Sequence, residues 1–209
     1  MTKVYDREYF DRWYRDPEHR VRTRGELRRK VSMVVGIAEH QLDRSVKSVL
    51  DVGCGEGEWY VELRRLRPEV RYLGIDSSDY VVERFGRTRN IVEGSLLEVD
   101  EIAGGRWWDL VVCSDVLHYV PDDEIEEALV VLSLLTEGVA YLDVLTTEDQ
   151  PIGDTEGFIL RRAGWYREAF ERAGFVPLGM QCYVGPALAE AVREMEKTQK
   201  SGLRDPGPK

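Results

Sequence analysis

Three glycines at alternate positions stand between two acidic residues in the first half of the chain. Asp51 lies in an apolar stretch, Gly53, Gly55 and Gly57 follow it directly, and Asp76 ends the next apolar stretch. Glycine lacks a Cβ and tolerates positive φ, so such a turn lets a ligand lie against bare backbone at a strand tip. Carboxylates accept hydrogen bonds from hydroxyl groups. The spacing therefore predicts a site for a small nucleoside-like molecule.

The order of acids and glycines differs from that of a dinucleotide-binding turn. Such a turn reads G-x-G-x-x-G and holds pyrophosphate, whereas this chain reads D-x-G-x-G-x-G. Asp51 and Glu56 would repel pyrophosphate and would suit an ammonium or sulfonium charge. The pattern resembles motif I of the class I S-adenosylmethionine (SAM) dependent methyltransferases, and the resemblance spans about residues 45–185. It implies methyl transfer, with SAM as the cofactor, to a small molecule of the kind made in secondary metabolism.

The resemblance implies a role for each residue of the glycine turn. Asp51 would lie near the methionine amino group of the cofactor, where a carboxylate can make a charge-assisted hydrogen bond. The turn beneath the methionine and ribose would consist of Gly53, Cys54, Gly55 and Gly57. A plain strand-to-helix turn is the alternative interpretation of these glycines.

Further cofactor contacts follow from the same resemblance. Asp76 would accept hydrogen bonds from both ribose hydroxyls, although it could also cap the helix that follows. Ser77 and Tyr80 would border the adenine. Ser95 and Leu96 would contact the adenine as well, although many relatives carry aspartate where this chain has Ser95.

The candidate catalytic residues follow the fourth predicted strand. Cys113 and Ser114 would pass beneath the methionine and the reacting methyl group, with Cys113 a packing residue rather than a nucleophile. His118 is the best candidate for a general base, because its intrinsic pKa lies in the working range. Asp115 and Tyr119 share its neighbourhood. The alternative is that His118 only packs or hydrogen-bonds in its turn.

Aromatic residues recur near the start of the chain and could form a lid that excludes water. The stripe consists of Tyr5, Tyr9, Phe10, Trp13 and Tyr14. Rigid aromatic side chains bury area at a small entropic cost. The alternative is that the stripe only packs a short helix against the body of the protein.

The region after the fifth predicted strand is expected to contact the acceptor. It contains Glu156 and Phe158, and Trp165 and Tyr166 follow it. Loops after the carboxyl ends of parallel strands form the ligand-facing rim of such sheets. Acids in this region would suit an amine, whereas basic residues near the start of the chain would suit an anion. Both N- and O-methylation therefore stay open.

Alternating strand and helix patterns must position these residues. Predicted strands cover 48–52, 71–76, 90–93, 108–114, 139–144, 175–180 and 181–184, with helices at 5–14, 22–42, 58–66, 78–85, 122–135, 163–173 and 186–200. This alternation predicts an α/β fold with a mostly parallel sheet covered on both faces. The resemblance adds a Rossmann-like sheet of seven strands in the order 3-2-1-4-5-7-6, the last strand antiparallel. We expect one domain over residues 1–200, with an N-terminal helical cap (1–44), a SAM-binding core (45–185), a C-terminal helix and a flexible tail (201–209).

Composition narrows the partners and the location. A net charge of −10 argues against nucleic-acid binding, which needs clustered basic residues. We expect no membrane segment and no secretory leader, and the three cysteines lack metal-like spacing. These features predict a cytoplasmic protein with a small-molecule substrate, no metal, and a monomeric or homodimeric state.

Two questions stay open at this stage. The arginines near the start of the chain are interpreted as a solvated face, with binding of an anionic group as the alternative: Arg20, Arg22, Arg24, Arg28 and Arg29. Other functions compatible with the glycine turn are those of an aminopropyl transferase and of a non-catalytic SAM-binding protein. A nicotinamide dehydrogenase is disfavoured by Asp51 and by the glycine spacing.

Overall fold

A seven-stranded sheet forms the centre of the computed structural model, which describes residues 4–151 and 153–193. Its strands are β1 (Ser48–Val52), β2 (Arg71–Asp76), β3 (Ile91–Glu93), β4 (Trp108–Ser114), β5 (Thr136–Asp143), β6 (Val176–Gly179) and β7 (Cys182–Val184). Their order across the sheet is β3-β2-β1-β4-β5-β7-β6. The first five strands are parallel, and β7 pairs antiparallel with both of its neighbours. The predicted fold class is therefore confirmed.

Seven α-helices accompany the described strands. They are α1 (Arg7–Phe10), α2 (Arg24–Leu42), α3 (Glu58–Leu66), α4 (Asp79–Arg89), α5 (Val99–Ala103), α6 (Asp122–Leu135) and α7 (Ala163–Arg172). The predicted helix at 5–14 is an α-helix only in part, because Asp11–Arg15 continues it as a π-helix. The short helix α5 was not predicted. Among the described residues, no helix is long and apolar enough to cross a bilayer.

Apolar side chains fill both faces of the sheet. Along β1, Val49 packs in the layer with α2 and α3, whereas Leu50 packs in the layer with α5, α6 and α7. Successive side chains of a strand point to opposite faces, so a strand covered on both sides is apolar throughout. The predicted apolar side of α2 is buried in full: Leu27, Val31, Val34, Val35 and Ala38.

The C-terminal helix predicted for residues 186–200 is not found where the structure describes that region. Residues 186–190 form turns, and only Ala191–Arg193 is helical, as a 3-10 helix. The Leu188 amide donates to Gly185 O at 3.2 Å and the Ala189 amide to Pro186 O at 3.4 Å, so four-residue turns satisfy the backbone there instead of an α-helix. The rest of that predicted helix and the predicted tail lie outside the described residues.

Candidate active site

The glycine turn between β1 and α3 has the backbone that its sequence predicts. Gly53, Gly55 and Gly57 have φ angles of +66°, +53° and +73°. A Cβ on Gly53 would lie 2.2 Å from Val116 Cγ2, and one on Gly55 would lie 3.3 Å from Phe10 Cε1. Side chains at the first two positions would therefore be both strained and crowded.

The turn is held to the adjacent strand by hydrogen bonds. The amides of Gly53 and Cys54 donate to Ile75 O at 2.8 and 3.1 Å. The Gly55 amide donates to Asp76 Oδ2 at 2.7 Å. The Asp76 side chain at the end of β2 therefore orients the centre of the turn. The glycines and the second acid of the sequence pattern are thus in direct contact.

Asp76 lines a cavity beside the turn, and it does not cap α4. Its Oδ1 accepts the Ser78 amide at 3.0 Å, and Ser78 in turn caps the helix by accepting the Val81 amide at 3.2 Å. Burial raises the pKa of Asp76, although its backbone hydrogen bonds oppose the rise. The cap that was an alternative role for Asp76 is thus supplied by Ser78.

Asp51 is deeply buried behind the turn. Its side chain is 2% exposed and accepts the Tyr72 hydroxyl at 2.6 Å. Burial raises the pKa of Asp51 to about 7. With Cys54, it lines a cavity of about 30 Å³ that adjoins the larger cavity. An acid with this pKa gains charge readily when a cation arrives.

The larger cavity, of about 560 Å³, brings together most of the predicted site residues. This volume falls in the range of small-molecule sites, roughly 300–1,000 Å³. The predicted residues on its walls are Tyr5, Tyr9, Phe10, Trp13, Tyr14, Gly53, Gly55, Asp76, Ser77, Ser95, Leu96, Ser114, Asp115, His118, Tyr119 and Phe158. Segments far apart in sequence therefore meet at the carboxyl ends of the parallel strands.

Besides Asp51 and Cys54, which line the smaller cavity, three residues predicted to contact the cofactor do not line the larger one. Gly57 begins α3, where it is the N-cap. Tyr80 donates its hydroxyl to Glu56 at 3.0 Å and stacks on Phe10 at 5.8 Å. Cys113 is fully buried in the sheet, which raises the pKa of its thiol and fits the packing role expected for it.

Two residues predicted to contact the substrate also lie elsewhere. Glu156 is exposed and is not among the residues that line the cavity. Tyr166 is 2% exposed in the core, and Arg161 donates to its hydroxyl at 3.2 Å. Its neighbour Trp165 packs against it at 5.2 Å. Tyr166 faces the protein interior from its helix. Neither Glu156 nor Tyr166 therefore contacts the cavity as predicted.

Glu56 lines the smaller cavity, where its carboxylate is already paired within the protein. Its carboxylate accepts two hydrogen bonds from Arg15, at 2.5 and 2.6 Å, in addition to the Tyr80 hydroxyl. The π-helix supplies Arg15, so this ion pair joins the N-terminal segment to the glycine turn. The carboxylate that the sequence assigned to ligand binding is therefore paired with an arginine of the same chain.

Arg22 is a site residue that the sequence interpretation placed on a solvated face. Its side chain is 18% exposed, with Nη2 3.0 Å from Glu58 Oε2 and Nη1 3.4 Å from Asp115 Oδ2. Its guanidinium lies 5.4 Å from the centre of the Tyr14 ring. Within the described part of the chain, the buried Nε has no hydrogen-bond partner. The exposed arginines fit the earlier interpretation: Arg20, Arg24, Arg28 and Arg29.

A second basic residue in the cavity was also missed. Lys30 of α2 pairs with Asp143 at 2.6 Å, and Asp143 accepts the Tyr141 hydroxyl at 3.0 Å. Burial and the nearby Asp143 carboxylate raise the pKa of Asp115. Asp115 has a φ of +62°, an uncommon angle for a non-glycine residue that often marks a functional position. No periodicity in the sequence indicates that these groups meet.

His118 lies in the cavity wall and is 1% exposed. The Leu145 amide donates to its Nδ1 at 3.4 Å, a contact that fits the neutral tautomer with its proton on Nε2. Its ring packs against Tyr119 at 4.5 Å and Phe158 at 4.4 Å. This arrangement favours a donor or packing role, because the nitrogen that lacks a proton already accepts a hydrogen bond.

The N-terminal aromatic stripe covers the cavity. Tyr5 contacts Tyr9 at 5.0 Å and reaches Tyr119 at 6.5 Å, while Phe10 contacts Tyr14 at 5.4 Å. Each of these residues lines the cavity, and Phe10 is also buried in a small cluster of its own. The stripe therefore packs against the body and encloses the cavity, so the two interpretations of it are compatible.

The matched family agrees with this geometry. A family model described as a methyltransferase domain matches residues 18–193. Because this match covers most of the chain, the chain belongs to the methyltransferase domain family, a class of SAM-dependent enzymes. No curated protein matches the chain significantly.

Solved structures share the fold at low sequence identity. A SAM dependent methyltransferase from Archaeoglobus fulgidus has a TM-score of 0.57 at 15% identity, over 74% of this chain and 70% of that one. DesVI from Streptomyces venezuelae has a TM-score of 0.60 at 15% identity, over 77% and 92%. The plantazolicin methyltransferase BamL has a TM-score of 0.57 at 15% identity, over 73% and 65%. Two longer structures are spanned to 58% and 55% of their lengths. These similarities show the fold alone.

Proposed function

We propose that this protein transfers a methyl group from SAM to a nitrogen or oxygen atom of a small molecule bound in the 560 Å³ cavity. The observation that carries the proposal is the hydrogen bond from Gly55 to Asp76 beside that cavity. It couples a side-chain-free turn to a carboxylate that can accept bonds from a diol. BamL, whose name describes plantazolicin as its substrate, is a further reason to consider small-molecule acceptors.

The residues beside the turn fit the two ends of SAM. Asp51 and Arg22 suit the methionine portion: Asp51 would bind its ammonium, and the buried Nε of Arg22 would donate to its carboxylate. Asp76 would bind the ribose hydroxyls. Ser95 and Leu96, which both line the cavity, would contact the adenine.

The protein has little covalent chemistry to perform. When bound, SAM supplies an electrophilic methyl group on a sulfonium, whose positive charge disperses during transfer. The chain aligns the acceptor and excludes water, which the N-terminal aromatic stripe is placed to do. Asp115, His118 and Tyr119 line the region where a proton could leave the acceptor, and we assign His118 a positioning role there.

Non-catalytic SAM binding and aminopropyl transfer are the competing functions. The cavity favours methyl transfer over simple binding because it extends beyond the turn to the aromatic stripe, leaving a place for a second molecule. We also propose that the protein works in the cytoplasm, because its three cysteines are buried as free thiols.

Calorimetry and mass spectrometry together test this function. The purified chain should bind S-adenosylhomocysteine (SAH) and should not bind NAD⁺. Incubation with SAM and a metabolite extract should yield a product heavier by one CH₂ group, and boiled protein is the control. Binding of NAD⁺ without SAH would contradict the cofactor assignment. Binding of SAH with no methylated product would support a non-catalytic partner.

A further inference from the structure

One side of the cavity, here called the aromatic wall, is made of five rings: Tyr5, Tyr9, Tyr14, Tyr119 and Phe158. Ring centroids are 5.0 Å apart for Tyr5 and Tyr9 and 4.9 Å apart for Tyr119 and Phe158. The rings come from the N-terminal segment and from the regions after β4 and β5. A positive group between such rings is attracted by their negative faces.

The hydroxyls of the aromatic wall are uncharged at neutral pH. Burial raises the pKa of Tyr5 and Tyr14 to about 12 and raises the pKa of Tyr9 and Tyr119 further. A neutral phenol keeps an oxygen that can accept a hydrogen bond from an ammonium group. The wall therefore offers ring faces and oxygen acceptors without a positive charge of its own.

The charged groups around the cavity also favour a cation. Both basic side chains on its walls are paired with acids: Arg22 with Glu58 and Asp115, and Lys30 with Asp143. Asp154 adds a carboxylate to the cavity wall, close enough to Tyr5, Tyr9 and Tyr119 to influence their ionisation.

We infer that the methyl acceptor is an amine, which binds as its ammonium form between the aromatic wall and Asp154. This inference rests on the proposed function. The ammonium releases a proton to water, and the free nitrogen lone pair then forms the new N–C bond. The S–C bond breaks as that bond forms, and the sulfur keeps the bonding pair. A carboxylate acceptor is disfavoured because the carboxylates of Asp154 and Asp115 would repel it, and the uncharged tyrosine hydroxyls would not offset that repulsion.

A pair of molecules with one shape and different charge tests the inference without measuring turnover. Choline carries a trimethylammonium group, and 3,3-dimethylbutan-1-ol carries a neutral tert-butyl group of similar size. Calorimetry on the SAH-loaded protein should show choline binding at least tenfold more tightly than the alcohol. Equal affinities, or no binding of either probe, would overturn the inference. Failure to bind SAH would instead overturn the proposed function.

Substitutions at Asp154 and Tyr119 separate the contribution of the carboxylate from that of the rings. Asp154→Asn keeps an oxygen for the Glu156 amide that Asp154 now accepts at 2.9 Å, and it should weaken choline binding at least fivefold. Asp123→Asn, on the exposed first turn of α6, is the matched control and should change nothing. Tyr119→Phe should retain choline binding, whereas Tyr119→Leu should lose it. Equal binding by the Phe and Leu variants would contradict a role for the ring.

Discussion

The glycine turn and the aromatic wall enclose one cavity by different means. The turn lies at the tips of β1 and β2, and its shape depends on backbone angles and on hydrogen bonds to neighbouring strands. The wall comes from segments outside the sheet, and its shape depends on ring contacts. Backbone geometry at a strand tip suits a constant ligand, whereas side chains on peripheral segments can vary with the acceptor.

The largest expected effect is on cofactor affinity. Asp76→Ala should weaken SAH binding at least 100-fold, about 3 kcal/mol, because both the ribose acceptor and the anchor of the Gly55 amide are lost. Tyr119→Leu should change SAH affinity less than threefold if the turn and the wall act separately. Calorimetry measures both values. Unchanged SAH affinity in Asp76→Ala would disprove the site assignment.

The next prediction tests whether the turn depends on its backbone. Gly53→Ala should lower the free energy of unfolding by about 3 kcal/mol, because a positive φ is combined with a Cβ 2.2 Å from Val116 Cγ2. Gly104→Ala is the matched control: its φ is +65°, and a Cβ there has nothing within 4 Å. It should lower stability by only about 1 kcal/mol. Urea unfolding measures both free energies. Equal losses of stability in the two variants would contradict the steric explanation.

A smaller effect concerns the pH dependence of Asp51. Its pKa rises from an ordinary acidic value to about 7 on folding, so the stability that its protonated form contributes is lost as pH rises towards 7. Asp51→Asn should therefore be more stable than the parent at pH 8, by about 1–2 kcal/mol, and similar to it at pH 4.

Ionisation of Asp51 should have the opposite effect on ligand binding: affinity should rise with pH, whereas stability falls. The ammonium group of SAH needs the ionised carboxylate as its partner, so the SAH affinity of the parent protein should fall about tenfold from pH 8 to pH 6. Asp51→Asn should bind weakly, with little change over that range. A parent protein whose affinity is independent of pH would contradict the role of Asp51.

The smallest effect is expected at His118, on the acceptor side. His118→Gln should reduce kcat less than fivefold at saturating SAM, because Nδ1 already accepts the Leu145 amide. The acceptor found in the mass search is the substrate for this measurement. A 100-fold loss of kcat, with loss of one limb of the pH–rate profile, would restore His118 as the general base.

Prediction from sequence succeeded where local pattern and burial agree. β1, β2, β4, α3 and α6 begin and end where expected, because each is a continuous apolar run or an amphipathic stretch with clear ends. The start of β5 was placed three residues late, at 139 rather than Thr136. The predicted C-terminal helix failed over 186–190, where short turns satisfy the backbone.

The same contrast applies to the site. Gly53, Gly55 and Asp76 follow from spacing, since each lies within three residues of a strand end. Arg22 and Tyr166 were misassigned because their positions depend on how whole segments pack. A basic residue just before a helix, or an aromatic residue within one, has the same local pattern whether it faces the cavity, the core or the solvent.

Local sequence predicts most strand positions, the glycine turn and the two acids beside it, because those features depend on backbone angles and strand ends that neighbouring residues dictate, whereas the order of the strands came from the family resemblance. Which charges meet in the cavity depends on how distant segments pack together. The tertiary structure paired Glu56 with Arg15, buried Arg22 beside Asp115 and brought Asp154 to the tyrosines. These pairings join residues far apart in the chain, and burial and charge balance, rather than periodicity, determine them.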